Sequence, residues 1–314
     1  MSPKLQTFFK RLFSTVILLG LLGGAVVWNS LLGYTLLICL FCNAATIEWF
    51  IMLKSVKQHC NRPLVLIGGL AYPWFMAGAH HLSESDIEAT LAYDFDFFRY
   101  AVVGLVVYAL LAFVCELVRA DYLRERSSAT QHAPGGLGIT LLAFIYPAWL
   151  FSFALCLLQN RDNNFFLLQD DAVHFLLWLV LTTKLSDICA YVCGVLLGRR
   201  FIRRPFSPAV SPNKSWEGII GSFILTTLLG YELALALGVY ETLGSHYVWV
   251  LLPAIFWLAV AGDLAGSLIK RGLAVKDSGS LLPGIGGVFD LVDSPAFTVS
   301  AVTMFIMLAP VYYN

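Results

Sequence analysis

The sequence has 314 residues, of which 59% are hydrophobic and only 13% are charged. Soluble domains carry about 25% charged residues, so this composition and a mean hydropathy of +0.77 exclude an ordinary soluble protein. The formal net charge is zero, and the longest polar segments are 81–97, 119–137 and 198–214. We therefore predict an all-α, polytopic membrane protein with no soluble domain and no nucleic-acid partner.

The N-terminus resembles a signal peptide, because Lys4, Lys10 and Arg11 precede the first apolar run. The apolar region is too long and lacks an A-x-A cleavage site, so we expect a retained first helix. The seven cysteines lie mostly inside apolar runs. They are predicted to be small, buried hydrophobic residues.

Nine membrane spans are predicted along the chain, and the distribution of basic residues orients them. Seventeen of the 20 Lys and Arg residues fall on the side that holds the N-terminus and two on the other. Because basic residues are enriched in cytoplasmic loops, the N-terminus is predicted to be cytoplasmic. We assign 1–170 to a scaffold and 171–314 to the helices that carry the functional site. The predicted spans are 12–28, 31–53, 63–80, 98–118, 138–158, 172–197, 215–240, 246–271 and 288–310.

Two acids end spans in the first half of the chain. Glu48 ends the second span, and Glu116 ends the fourth beside Arg119. Charges inside a membrane are costly unless they are paired. We interpret both glutamates as interfacial acids that pair with a nearby base.

The sixth span carries Lys184 and Asp187 one helical turn apart. One interpretation is a buried ion pair that holds helices together, and the other is an acid that lines a polar cavity. Tyr191, Gly194 and Gly198 follow on the same face of the helix, where small residues permit close helix approach.

The seventh span begins after an arginine-rich segment that is typical of a cytoplasmic anchor for anionic headgroups. Ser215 is predicted to cap the helix, with Glu217 in its first turn. Free backbone amides at a helix start, with Lys214 beside them, suit a phosphate. A plain capped helix start is the alternative.

The densest group of charges lies in 263–293. In the eighth span, Asp263, Ser267, Lys270 and Arg271 are spaced to share one helix face. A loop with five glycines, 272–287, follows, and glycine lets backbone amides approach a ligand closely.

That loop contains Lys276 and Asp277, and the ninth span then opens with Asp290 and Asp293. Carboxylate oxygens together with substrate phosphates are the ligands that Mg²⁺ prefers. Acids, bases and glycines in one segment therefore indicate metal-assisted phosphoryl or nucleotidyl transfer. A set of structural ion pairs is the alternative.

These motifs resemble those of the phosphatidate cytidylyltransferase (CDP-diacylglycerol synthase) family over about 184–295. The matching stretches are Asp187-x-x-Ala190-Tyr191-x-x-Gly194, Ser211-Pro212-Asn213-Lys214-Ser215-Trp216-Glu217-Gly218, Ser267-x-x-Lys270-Arg271, Lys276-Asp277 and Pro283-x-x-Gly286-Gly287-x-x-Asp290-x-x-Asp293.

The resemblance implies an enzyme that converts CTP and phosphatidate into CDP-diacylglycerol and pyrophosphate in phospholipid biosynthesis. It implies a homodimer in the bacterial inner membrane, with the active site facing the cytoplasm. It also implies Mg²⁺, with room for a second cation, held by Asp263, Asp290 and, as a supporting ligand, Asp293. The implied catalytic residues are Asp263, Lys270, Arg271 and Asp290, and the implied substrate-binding residues are Asp187, Ser211, Lys214, Glu217, Ser267, Lys276, Asp277, Gly286 and Gly287.

Two positions depart from the family pattern. Ile285 stands where the family has histidine, and Leu291 stands where it has arginine. Isoleucine cannot donate a proton, and leucine cannot bind a phosphate. The alternatives are therefore a CTP-dependent lipid-alcohol kinase that releases CDP, a catalytically altered relative, or a transporter. We favour the cytidylyltransferase because the other acids and bases of the motifs remain.

Overall fold

The computed structural model describes residues 30–54, 60–83, 93–122, 129–159, 169–198, 200–202, 204–275, 277–279, 281 and 286–308, with Gly20 and Gly24. Helices dominate these ranges. In chain order the elements are α1 (Leu31–Leu53), α2 (Arg62–Ser83), α3 (Tyr93–Tyr122), α4 (Ala129–Phe144), a π-helix (Ile145–Leu150), α5 (Phe151–Gln159), α6 (Gln169–Leu197), β1 (Pro205–Ser207), β2 (Ser211–Ser215), α7 (Trp216–Ala236), α8 (Val239–Leu243), α9 (Ser245–Gly272) and α10 (Val288–Leu308).

Seven helical stretches in the described ranges are long and apolar enough to cross a membrane, which makes the chain an all-α, multi-pass membrane protein. Each coincides with a predicted span. The predicted span 63–80 falls within α2, which is not among the seven, and 12–28 lies almost wholly outside the described residues. The seven stretches are Leu31–Leu53, Phe98–Arg119, Pro134–Leu158, Asp171–Leu197, Trp216–Ala236, Ser245–Gly272 and Val288–Ile306.

The chain forms two compact units. The first comprises Met1–Leu155 and Gly272–Val292, and the second comprises Cys156–Arg271 and Asp293–Asn314. The glycine-rich loop therefore groups with the N-terminal helices. The predicted functional division at residue 170 does not coincide with this grouping and stays a prediction.

In the first unit, a π-helical turn interrupts the long apolar run between α4 and α5. Pro147 lies inside this turn. Proline lacks a backbone N–H and crowds the carbonyl four residues earlier, so a regular α-helical turn is unfavourable there. The indole of Trp149 donates to the carbonyl oxygen of Ala101 at 2.9 Å, which ties the turn to α3.

In the second unit, α6 and α7 pack with their backbones close together. A Cβ added at Gly218 would lie 3.2 Å from the Cα of Gly194. The predicted close approach at Gly194 is confirmed. At the other end of the pair, Trp178 Nε1 donates to the carbonyl oxygen of Gly230 at 2.8 Å. Short strands β1 and β2 pair antiparallel just before α7.

Two local predictions are confirmed. Arg119 donates to Glu116 Oε1 at 2.6 Å, as expected for an acid and a base one turn apart. Five of the seven cysteines are buried, namely Cys39, Cys42, Cys156, Cys189 and Cys193.

Glycine also governs the contact between α9 and α10 within the second unit. A Cβ at Gly262 would lie 2.9 Å from both the carbonyl oxygen of Asp293 and the Cα of Ser294. Backbone atoms cannot move aside as a flexible side chain can. The replacement Gly262→Ala should therefore lower the free energy of unfolding by about 1–3 kcal/mol through overpacking.

Thermal unfolding of the purified protein in detergent would measure this loss. Gly138→Ala is the matched control, because nothing lies within 4 Å of a Cβ added there. Equal melting temperatures for the two variants would contradict the close contact.

Candidate active site

A cavity of about 510 Å³ lies in the second unit and is lined by residues from α6, β2, α7 and α9. Its apolar wall includes Ala190, Val195 and Ile219. Its polar wall combines two acids, a lysine, an amide and two hydroxyls. These polar residues are Asp187, Tyr191, Asn213, Lys214, Ser215 and Asp263.

The start of α7 has the local structure that the sequence predicts. Ser215 is the N-cap residue, and its Oγ accepts from the backbone N–H of Gly218 at 3.1 Å. This cap closes the turn that leaves β2 and brings Lys214 to the cavity.

Glu217 and Ser211, both predicted to bind substrate, have other contacts here. Glu217 is buried, and its Oε1 accepts from the backbone N–H groups of Phe201 and Ile202 at 2.9 and 2.6 Å. Ser211 pairs with Ser207 in the two-stranded sheet and is not among the described residues that line the cavity. In this structure Glu217 holds the segment before β1 against α7.

Three aspartates of the second unit lie close to lysines. Asp263 forms an ion pair with Lys214. Lys184 Nζ lies 3.4 Å from Asp187 Oδ2. Asp187 thus lines the cavity, as one interpretation expects, whereas its ion pair with Lys184 lies within α6 and leaves 35% of the Asp187 side chain exposed.

Asp293 is the most deeply buried of the three acids, with 4% of its side chain exposed. Its Oδ1 lies 3.9 Å from Lys184 Nζ, and its Oδ2 lies 4.0 Å from Lys270 Nζ. Lys184 thus stands between acids from α6 and α10. The sequence alone places Lys184 beside Asp187 and contains no signal for its approach to Asp293.

Ser294 is a second residue that sequence reasoning missed. Its backbone N–H donates to Asp293 Oδ1 at 2.7 Å, and its hydroxyl lies 3.5 Å from Asp187 Oδ2. We call these residues the α6–α9–α10 charge cluster, defined as Lys184, Asp187, Lys214, Asp263, Lys270, Asp293 and Ser294.

The first unit contains the glycine-rich part of the predicted site. Asp290 Oδ2 accepts from Ser278 Oγ at 2.7 Å, and it also accepts from the backbone N–H groups of Ser278 and Gly287 at 3.4 and 3.3 Å. An acid that reaches back to the first N–H of its own helix is one half of a capping box. Gly286 has a φ of +122°, a conformation that residues with a side chain rarely adopt.

The remaining predicted site residues that the structure describes differ in exposure. Ser267 is partly buried, and Arg271 and Asp277 are exposed. Lys276 and Ile285 lie outside the described residues, whereas Leu291 is partly buried on α10. The roles that the resemblance gives to these positions stay predictions.

The charge cluster offers carboxylate ligands for Mg²⁺ but does not form a complete metal site by itself. Carboxylate oxygens are suitable ligands, and Mg²⁺ is usually held by one or two carboxylates together with substrate phosphates. No group of three His, Cys, Asp or Glu residues in the described part of the chain is arranged to hold a metal by itself. The cluster therefore suits a Mg²⁺ ion that arrives with a phosphate-bearing ligand, and its two accessible carboxylates, Asp187 and Asp263, both line the cavity.

The fold and the cavity define a multi-pass membrane protein with a charged pocket built between transmembrane helices. The model of the cytidylyltransferase family matches residues 9–309, so the chain belongs to that family.

Three curated relatives, each called phosphatidate cytidylyltransferase, illustrate the similarity. The protein of Helicobacter pylori strain 26695 is 35% identical over 158 residues, which are 50% of this chain and 52% of the relative. The protein of Mycobacterium bovis is 38% identical over 124 residues, or 39% of this chain and 37% of the relative. The protein of Staphylococcus haemolyticus is 33% identical over 138 residues, or 43% and 50%. The chain thus spans about half or less of the length of these relatives.

Removal of the Lys184 ammonium tests the charge cluster. Lys184→Met should lower the free energy of unfolding by about 1–3 kcal/mol, because Asp187 and Asp293 lose a shared counter-charge in a largely buried place. The double variant Lys184→Met/Asp293→Asn, which restores the charge balance, should recover most of this loss.

Thermal unfolding in detergent measures both effects, with Lys54→Met at the exposed end of α1 as the matched control. A melting temperature for Lys184→Met equal to that of the control would show that Lys184 does not neutralise these acids.

Proposed function

We propose that this protein transfers the cytidylyl group of CTP to phosphatidate, forming CDP-diacylglycerol and pyrophosphate. The observation that carries the proposal is the cavity of the second unit, where Lys214 and Asp263 meet beside a set of acids and lysines. Membership of the cytidylyltransferase family and relatives that are called phosphatidate cytidylyltransferase support it.

In the proposed reaction, a phosphate oxygen of phosphatidate attacks the α-phosphorus of CTP. The bond from that phosphorus to the bridging oxygen of the β-phosphate breaks, and pyrophosphate leaves. Phosphatidate is anionic near neutral pH, so the protein mainly has to position two anions and balance their charge. Lys214 and Lys270 are the cations of the second unit that we assign to the phosphates, with Arg271 beside them.

The ion pair between Lys214 and Asp263 explains how the cavity accepts an anion. An incoming phosphate competes for the Lys214 ammonium, and the released Asp263 carboxylate becomes available to Mg²⁺. Asp263 and Asp293 are the carboxylates of this unit that would hold the metal. Bound Mg²⁺ supplies Lewis-acid neutralisation of phosphate charge. The resemblance assigns a metal-binding role to Asp290 as well.

We further propose the finer topology that the sequence predicts. The chain has nine spans and a cytoplasmic N-terminus, and it works as a homodimer in the bacterial inner membrane with the active site on the cytoplasmic face. A cavity between transmembrane helices admits the acyl chains from the lipid and the nucleotide from the cytoplasm. Leu291 and Ile285 are then tolerated departures from the family pattern.

The products distinguish this function from a CTP-dependent lipid-alcohol kinase. Purified protein in detergent should convert labelled CTP and phosphatidate into a labelled lipid and release pyrophosphate in equal amounts. Release of CDP with a lipid alcohol as acceptor would replace the proposal with the kinase.

Asp263→Asn should lower turnover by about 100-fold or more, because the carboxylate that we assign to the metal loses its charge. The matched control is Asp171→Asn at the start of α6, outside the cavity, which should keep wild-type turnover. Circular dichroism and the melting temperature would verify that both variants are folded. Wild-type turnover in a folded Asp263→Asn protein would refute the assignment of Asp263.

Chelation tests the requirement for the metal separately. Excess EDTA should abolish turnover, and added Mg²⁺ should restore it, because the cluster offers carboxylates without a complete protein-only metal site. The assay of labelled lipid and pyrophosphate measures both the loss and the recovery of turnover. Full turnover in EDTA would contradict a role for Mg²⁺.

A further inference from the structure

Glu48 is a completely buried acid in α1, with a relative exposure of 0%. The expectation of an interfacial acid paired with a nearby base is wrong for its described contacts. A buried carboxylate is very unfavourable unless hydrogen bonds satisfy it. The contacts of the Glu48 carboxylate therefore indicate the role of this residue.

The carboxylate of Glu48 binds the start of α10 within the first unit. Its Oε2 accepts from the backbone N–H of Phe289 at 2.8 Å, one of the N–H groups that a helix start leaves without a partner in the helix. Residues 241 positions apart in the sequence are thereby joined. A negative charge at a helix N-terminus is also electrostatically favourable.

The same carboxylate lies against two glycines of the glycine-rich loop. A Cβ added at Gly279 would lie 2.7 Å from Glu48 Oε1, and a Cβ added at Gly287 would come closer still to Oε2. Because neither glycine has a Cβ, the backbone at these two positions can lie directly against the Glu48 carboxylate.

Asp290 holds this loop through other atoms. Its Oδ2 accepts from Ser278 and from the N–H of Gly287. Ser278 is the neighbour of Gly279, and Gly287 is itself one of the two glycines that lie against Glu48. The loop between Ser278 and Gly287 is therefore held at both ends by two carboxylates, one from α1 and one from α10.

An aromatic cluster fixes Glu48 in turn. The ring of Trp49 lies 5.2 Å from that of Phe289, and the ring of Tyr146 in the π-helix lies 5.3 Å from Phe289. Aromatic contacts at such distances are favourable and restrict side-chain orientation. Residues on both sides of the hydrogen bond between Glu48 and Phe289 are thus packed against one another.

We propose that Glu48 is a positioning residue of the nucleotide site: it fixes the glycine-rich loop and the start of α10, and so sets the direction of the Asp290 carboxylate and of the loop amides. This inference rests on the proposed function, because it assigns the loop to the phosphates of CTP.

Three variants test the role through kinetics. Glu48→Leu fills the space but removes the acceptor, and it should lower kcat/KM for CTP by about 10- to 100-fold, the usual range for residues that orient a ligand-binding group. The KM for phosphatidate should stay unchanged. Glu48→Gln keeps an acceptor oxygen for Phe289 and should retain most of the activity. The matched control is Glu116→Gln, which removes the charge of another buried acid, the one that pairs with Arg119 on α3. Its kinetics should be those of the wild type.

Hydrogen–deuterium exchange supplies a readout that does not depend on turnover. In Glu48→Leu the amides of Phe289, Gly287 and Ser278 should exchange faster than in wild type, while those of α7 should not change. In Glu48→Gln they should stay protected.

A double-mutant cycle tests the contact with the loop. Gly279→Ala should be damaging when Glu48 is present, because the new methyl group meets the carboxylate, and much less so in a Glu48→Ala background. Equal effects of Gly279→Ala in the two backgrounds would overturn the contact.

The outcomes separate the two proposals. Wild-type kcat/KM and unchanged amide exchange in Glu48→Leu, in an enzyme that turns over CTP, would overturn the role of Glu48 and leave the proposed function intact. A wild-type protein without any CTP turnover would overturn both the proposed function and the part of Glu48 in it. Faster exchange in Glu48→Leu would then show only that Glu48 holds the described ends of the loop.

Discussion

Charges within apolar helices must be neutralised close to where they lie, and this requirement organises the second unit. Lipid offers no water to screen an isolated carboxylate. Asp187, Asp263 and Asp293 accordingly each have a lysine within ion-pair distance. Asp293, the most deeply buried of the three acids, fits against α9 because residue 266 is a glycine: a Cβ there would lie 2.8 Å from Asp293 Oδ2. The spacing of α9 and α10 is therefore matched to the acid that α10 contributes.

The charge cluster contains three acids and three lysines, so its formal charges balance. The pair between Lys214 and Asp263 lies at the cavity wall, with 21% and 28% of the two side chains exposed, whereas Asp293 is almost fully buried. Partial exposure weakens an ion pair through solvent screening. Asp187, with 35% of its side chain exposed, also lines the cavity, so Asp293 is the deeply buried member of the three acids.

Two acids of the first unit are held differently. Glu48 Oε2 accepts from a backbone N–H, and Asp290 Oδ2 accepts from backbone N–H groups and a serine hydroxyl. Backbone donors are held by the helix and the loop themselves, so such contacts fix geometry more firmly than a flexible lysine does. The described residues at the two ends of the loop are therefore held against these two carboxylates.

The sequence by itself determined the features that depend on neighbouring residues. Helix periodicity and apolar runs predicted the positions of seven described spans, and spacing alone predicted the Ser215 cap and the ion pair between Glu116 and Arg119. Linked motifs also indicated the cytidylyltransferase family. Only the tertiary structure decided that Lys184 approaches Asp293 and that Glu48 binds the start of α10. Periodicity shows which face of a helix is distinctive, but the partner of that face depends on how distant helices pack, and packing is a property of the whole chain.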